Sequence, residues 1–149
     1  MPTARRSRTI AAPVGELWQL VRDPHHLPRW WPRVTRVENV AQNAFTEVMK
    51  TKKGKLVRAD YLVVQIDELE HTLRWEQRVA GTPFARVLAS AQTGVRLKPT
   101  DAGVAATNVT LELRQTMTGF FPRFGGFLLR RAAGATLEEA LDGLARIYG

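Results

Sequence analysis

The stretch HTLRWEQRV, residues 71–79, decides the fold, because its side chains alternate between two kinds. One face carries Leu73, Trp75, Gln77 and Val79, and the other carries Thr72, Arg74, Glu76 and Arg78. A period of two residues is the geometry of a β-strand with one buried face. The stretch therefore predicts a strand with a mostly apolar inner side and a charged outer side.

Similar patterns on either side of this stretch predict further elements. Strands are expected at residues 5–10, 34–40, 45–51, 57–66, 86–97 and 104–114. A helix opens at Pro13 and stops at Asp23-Pro24, and residues 25–31 form a second short helix. On residues 86–97 the inner face is expected to carry Val87, Ala89, Ala91, Thr93, Val95 and Leu97. On residues 104–114 it is expected to carry Thr107, Val109, Leu111 and Leu113. The pattern of residues 57–66 leaves their orientation open.

A long amphipathic helix is expected after Gly119 and Pro122, reaching about Tyr148. At 100° per residue its buried stripe consists of Phe127, Gly134, Leu137, Leu141, Leu144 and Tyr148. Ala140 lies away from the centre of that stripe. One long helix after a run of antiparallel strands predicts an α+β fold in which the helix lies across the sheet.

The composition sets limits on function. The 149 residues suit one domain, cysteine is absent, and the net charge is +8. Neither an apolar run long enough to span a membrane nor a secretory signal is seen, so we expect a cytoplasmic protein. The basic charge admits acidic partners, but the chain carries no nucleic-acid-binding motif. The densest basic cluster is Lys50, Lys52, Lys53, Lys55 and Arg58, which we refer to as the lysine turn.

Small residues on both sides of the expected interface predict a cavity between sheet and helix. Ala89 and Ala91 face it from the sheet, while Gly125, Gly126 and Gly134 face it from the helix. Aromatic and methionine side chains around such space form a typical small-molecule pocket. The alternative is that these side chains close the core completely.

The N-terminal third of the chain resembles a known family. The residues that carry the resemblance are SRTIAAPV at 7–14, Leu17-Trp18, Asp23-Pro24 and LPRWWP at 27–32. They are similar to the START/SRPBCC superfamily, in particular its polyketide cyclase/dehydrase-like branch. The resemblance implies a single helix-grip domain over residues 1–149. It also implies a seven-stranded antiparallel sheet wrapped around the C-terminal helix, two short helices after the first strand, and an internal cavity.

Candidate ligand-binding residues follow from the pattern and the resemblance together. They are Trp30, Trp31, Tyr61, Trp75, Gln77, Phe84, Ala89, Ala91, Leu111, Met117, Phe120, Phe124, Leu128 and Arg131. Arg131 falls on the buried half of the helix by angle, so it either reaches out at the edge or pairs with an anionic group of the ligand.

Three functions are compatible with these features. We expect a non-catalytic carrier of a hydrophobic or amphipathic small molecule, such as a lipid, an isoprenoid or a polyketide-like compound. An aromatic polyketide cyclase/dehydrase-type enzyme is the second. A co-chaperone-like interaction module is the third. The lysine turn is either a solvated turn or a docking surface for an acidic partner, such as an acyl carrier protein presenting a substrate, or for an anionic membrane. No catalytic residues, cofactor or metal site are expected, because His25, His26 and His71 belong to no nucleophile or metal-ligand pattern.

Overall fold

A computed structural model gives the fold of the chain. It describes residues 3–100, 105–118 and 123–148, with the side chains of the last segment described from residue 127. The strands are β1 (Thr3–Ile10), β2 (Val34–Glu38), β3 (Ala44–Lys50), β4 (Leu56–Asp67), β5 (Thr72–Gln77), β6 (Leu88–Pro99) and β7 (Thr107–Met117). The α-helices are α1 (Val14–Val21), α2 (Leu27–Trp30) and α3 (Arg123–Tyr148). Short 3-10 helices occupy Pro24–His26 and Pro83–Arg86.

In the described part of the chain, the seven strands form one antiparallel sheet in the order β1-β7-β6-β5-β4-β3-β2. Neighbours in sequence are neighbours in the sheet except for β1, which pairs with β7. The short helices follow β1, and the carboxylate of Asp23 caps the 3-10 helix by accepting a bond from the backbone N–H of His25 at 3.0 Å. This confirms the expected α+β helix-grip fold.

The core lies between the inner face of the sheet and α3. Val109 and Leu111 from β7 and Leu137, Leu141 and Leu144 from α3 are fully buried. They follow the two-residue period of the strand and the heptad-like period of the helix, as the sequence pattern predicts.

A close approach between α2 and α3 fixes one end of the helix. A Cβ placed on Gly143 would lie 2.3 Å from the carbonyl oxygen of Trp30. Gly143 therefore allows the backbone of α2 to rest directly on α3, and Trp30 is buried there. This contact anchors α3 at the end opposite its glycine-rich start.

The sequence pattern predicts the wrong inward-facing residues at the start of β6. The pairing with β7 shifts between Leu88 and Ser90, which is the mark of a β-bulge. Leu88 consequently faces inward, whereas Val87 and Ala89 are exposed. From Ala91 onward the inner face is the predicted one.

The buried stripe of α3 is rotated from its expected position. Gly134, Leu137, Leu141 and Leu144 are buried as expected, but Ala133 is buried beside them and Ala140 is fully buried instead of lying aside. Phe127 lies on the edge of this rotated stripe and is 49 % exposed. Periodicity alone places Phe127 on the stripe because the helix start is rich in hydrophobic side chains on several faces.

Candidate functional site

A cavity of about 190 Å³ lies between the inner face of the sheet and the middle of α3. This is smaller than the roughly 300–1,000 Å³ of ordinary drug-sized pockets, so it suits a ligand of one or two rings. The residues that line it are Trp31, Glu47, Tyr61, Trp75, Gln77, Ala91, Thr93, Leu113, Gln115, Leu129, Ala132, Ala133 and Thr136.

An aromatic wall forms one side of the cavity. Phe45 stacks on Tyr61 with ring centroids 5.3 Å apart, and its edge meets Trp75 at 6.2 Å. Trp75 in turn meets Trp31 edge to face at 6.0 Å. Edge-to-face and offset-stacked arrangements are the favoured geometries of aromatic pairs, and Trp31, Tyr61 and Trp75 of this cluster line the cavity.

A polar end adjoins this wall on the inner face of the sheet and shares Tyr61 with it. Tyr61 of β4 lies directly opposite Gln77 of β5 in the sheet register. Glu47 of β3 lies opposite Ala59, two residues before Tyr61, and the small methyl of Ala59 leaves space above the strand. The sheet register thus brings a carboxyl, a phenol and an amide to the same end of the cavity.

Two atoms of this polar end lack partners among the described residues. They are Oε1 of Glu47 and Nε2 of Gln77, both inaccessible to solvent. Leaving a buried polar atom unpaired costs about 1–3 kcal/mol, so each is a ready contact for a group inside the cavity.

Burial determines the protonation of the polar end. Glu47 is only 1 % exposed, and loss of hydration raises its pKa to about 8. Burial likewise raises the pKa of Tyr61 well above its usual value, and the negative charge of an ionised Glu47 raises it further. At neutral pH both groups are therefore mainly neutral, and each carries a hydrogen that it can donate.

Comparison with known protein families shows which family this chain belongs to. The model of the family described as polyketide cyclase / dehydrase and lipid transport matches residues 1–149. The chain belongs to this family. The resemblance of its N-terminal residues to the START/SRPBCC superfamily is thereby confirmed.

Solved structures share the fold of this family member. A START superfamily protein from Mycobacterium smegmatis superposes with a TM-score of 0.79 at 15% identity, covering 98% of this chain and 96% of that one. The di-domain ARO/CYC BexL of the BE-7585A biosynthetic pathway gives 0.80 at 21% identity, covering 98% of this chain and 46% of that one. A solution structure from Thermobifida fusca gives 0.76 at 23% identity, covering 100% and 94%. No curated protein sequence matches the chain.

Five of the predicted site residues of this family member line the cavity together: Trp31, Tyr61, Trp75, Gln77 and Ala91. Trp75 lies on the inner face, as the alternation of residues 71–79 predicts. The pattern of residues 57–66 left the orientation of Tyr61 open, and the sheet register turns it inward.

Four other predicted residues are buried or half-buried but are not among those that line the cavity. Trp30 packs against α3, and Leu111 belongs to the main core. Phe84 packs in a separate cluster with Val79, Leu88 and Ala91. Met117 is half-buried at the end of β7, opposite Leu88.

Three predicted residues face solvent, and two cannot be placed. Ala89 is turned outward by the β6 bulge, and Leu128 is 47 % exposed because the buried stripe of α3 is rotated. Arg131 is exposed on the same side of α3, so it reaches solvent instead of the ligand space. The side chains of Phe120 and Phe124 lie outside the described residues.

Glu47 is the residue that the sequence analysis missed. Alternation along AFTEVMK, residues 44–50, places Phe45, Glu47 and Met49 on one face. A carboxyl between two large apolar side chains on an inner face was a usable signal. The candidate residues named from the sequence include no carboxyl, so Glu47 adds a titratable group to the site.

A larger groove of about 690 Å³ lies on the outer face of the sheet. Its centre is Glu112, whose carboxylate accepts a hydrogen bond from Arg5 and forms ion pairs with Arg74 at 3.5 Å and Arg114 at 2.6 Å. Glu112 is 6 % exposed, and the three arginines around its carboxylate neutralise its charge, although Nη1 of Arg74 is buried without a hydrogen-bond partner among the described residues. The groove lies on the charged outer face of the sheet, away from α3, so we do not take it as the site for an apolar ligand.

Other candidate chemistry is absent from the described part of the molecule. Its residues contain no cluster of three or more metal-ligating side chains. None of its helices has the length and apolarity to cross a membrane. The lysine turn is exposed, and Arg58 within it pairs with Glu38.

Proposed function

We propose that this protein binds a small amphipathic molecule in the cavity between the sheet and α3. The observation that carries the proposal is the polar end of the cavity, where the unpartnered atoms of Glu47 and Gln77 lie beside an aromatic wall. A ligand with an apolar ring and one polar group satisfies both surfaces at once.

The affinity of a generic ligand is expected to be modest. Burying roughly 300 Å² of apolar surface contributes about 7–8 kcal/mol at 25 cal/mol per Å². Association costs offset several kcal/mol of that, which leaves dissociation constants no tighter than roughly micromolar.

Two experiments test this proposal: a search for a retained natural ligand, and a ligand titration of a variant whose cavity is filled. Native mass spectrometry of freshly purified protein is expected to detect a retained small molecule. Titration with 1-indanone, followed by protein NMR, is expected to shift signals of cavity residues. Ala91→Leu fills the cavity and abolishes those shifts, whereas Ala89→Leu, two residues earlier on the exposed side, preserves them. Equal binding by both variants places the ligand elsewhere and contradicts the proposal.

A second candidate function is catalysis of the cyclase/dehydrase type. A carboxyl whose pKa lies near the working pH is suited to general acid–base catalysis, and Glu47 has such a pKa beside the phenol of Tyr61. Heptane-2,6-dione is a small substrate that tests it. Removal of a proton next to one carbonyl, attack on the other carbonyl and loss of water give 3-methylcyclohex-2-enone.

The absorbance of the conjugated enone measures this reaction directly. Turnover by the wild type that falls at least tenfold in Glu47→Gln supports the enzyme, because the amide cannot exchange the proton. Enone formation at the rate of buffer alone leaves the carrier as the function. The third alternative, the co-chaperone-like module, would use an exposed apolar patch such as Leu62, Val64 and Ile66 of β4 instead of the cavity. A small molecule retained in the cavity favours the carrier over this alternative.

A further inference from the structure

Glu47 lies in the cavity without a counterion. Among the described residues that line the cavity, no lysine, arginine or histidine is present, and Tyr61 is the only other titratable group. The facing side chains of β5, β6, β7 and α3 are uncharged, including Gln77, Thr93 and Gln115. Arg130 and Arg131 on α3 are exposed and lie outside the lining.

This arrangement selects among polar groups of a ligand. An amine must enter as a cation and pair with a carboxylate, so two charges lose their hydration in a small aromatic space. A ligand carboxylate meets no cation and repels Glu47 once that group ionises. A neutral oxygen acceptor avoids both costs.

The polar end also offers several hydrogens to such an acceptor. A protonated carboxyl donates one, a phenol donates one, and the amide of Gln77 donates two. The hydroxyl of Thr136 bonds to the carbonyl oxygen of Ala132 at 3.1 Å, so its hydrogen is already used within α3. Among the described lining residues, Oε1 of Glu47 and Nε2 of Gln77 are the buried side-chain atoms without a hydrogen-bond partner, so we take this end of the cavity as the place where the ligand's polar group binds.

We propose that Glu47 is the recognition group of the cavity and donates its carboxyl proton in a hydrogen bond to a neutral carbonyl oxygen of the ligand. The substrate class is accordingly a small cyclic or aromatic ketone, aldehyde or ester. This inference rests on the proposed function, since it names the ligand chemistry of the same cavity.

The test uses three probes with one ring system: 1-indanone, indane and 1-aminoindane. Dissociation constants are measured by protein NMR at pH 6 and pH 9 for the wild type, Glu47→Gln and Glu47→Leu. The control is Glu76→Gln, on the outer face of β5 and outside the cavity.

At pH 6 the wild type is expected to bind 1-indanone roughly 3–10-fold more tightly than indane, as one net hydrogen bond provides. Its affinity for 1-indanone falls about tenfold by pH 9, because Glu47 ionises near pH 8. Glu47→Gln keeps a donor and binds 1-indanone equally at both pH values. Glu47→Leu loses the preference over indane, and Glu76→Gln behaves as the wild type.

Different failures have different meanings. Equal affinity for indane and 1-indanone, or a pH effect that survives in Glu47→Gln, overturns the recognition role while ligand binding stands. Tightest binding of 1-aminoindane at pH 6 shows that Glu47 acts as a carboxylate, which also overturns it. Failure of all three probes to shift the cavity signals overturns the proposed function itself. Should Glu47→Leu not fold, the pH dependence in Glu47→Gln decides.

Discussion

The buried carboxyl of Glu47 makes the stability of the protein fall with rising pH. Its pKa rises from an ordinary 4.5 in the unfolded chain to about 8 in the folded protein. Between these values the folded state holds a proton that the unfolded state has released. The stability that protonated Glu47 contributes is therefore fully present below about pH 4.5 and is lost as the pH rises through about 8.

The size of the effect follows from this difference. At about 1.36 kcal/mol per pH unit, the free energy of unfolding falls by about 3–4 kcal/mol between pH 5 and pH 8. This is a large part of the roughly 5–15 kcal/mol of a typical domain. Glu112 does not mask it: burial favours a higher pKa there, but the hydrogen bond from Arg5 and the charge of Arg114 lower it, so it titrates below this window.

Urea unfolding measures the effect, with tryptophan fluorescence recorded at each pH from 5 to 8. The wild type and Glu76→Gln are expected to lose stability over this range, whereas Glu47→Gln loses about 3–4 kcal/mol less because its amide does not titrate. Subtracting the Glu47→Gln values from the wild-type values removes the contribution of every other group. Parallel curves for these two proteins would refute the reasoning.

Three further outcomes are expected. Gly143→Ala is expected to lower the free energy of unfolding in urea, because the new Cβ meets the backbone of Trp30, even though alanine favours a helix over glycine by about 1 kcal/mol. The control is Gly15→Ala in α1, whose Cβ meets nothing within 4 Å and leaves stability unchanged or higher. Reversing the lysine charges within residues 52–55 leaves the unfolding midpoint nearly unchanged but weakens any binding to an acyl carrier protein at low salt, as measured by calorimetry. Arg131→Met leaves the preference between a carboxylate ligand and its neutral amide unchanged, since Arg131 faces solvent; a lost preference would place Arg131 at the ligand.

The fold was predictable where one local period governs a whole element. Residues 71–79 alternate without a break, and the structure buries Leu73 and Trp75 as that alternation requires. The first residues of β6 follow no such rule, because the bulge arises where the 3-10 helix Pro83–Arg86 feeds into the strand. Periodicity within one segment contains no information about a register shift against another.

The site was less predictable than the fold because it depends on which strands lie side by side. Glu47, Tyr61 and Gln77 are far apart in sequence and meet only through the pairing of β3, β4 and β5. Aromatic side chains of similar size serve both packing and the cavity, so residue type alone does not separate the two roles. Trp30 and Phe84 are used for packing instead, and the small Ala59 helps to make room for the polar end.

The pairing of β1 with β7 has a consequence for the chain during its synthesis on the ribosome. Arg5 and its partner Glu112 are 107 residues apart, so β1 leaves the ribosome long before β7 exists. An unpaired strand is a template for aggregation, and like charges along it discourage such contacts. Arg5, Arg6 and Arg8 provide them. Once β7 and α3 have been synthesised, Glu112, Glu138 and Asp142 form ion pairs with these same arginines. The charges that keep the nascent strand from aggregating therefore also hold it in place in the folded protein.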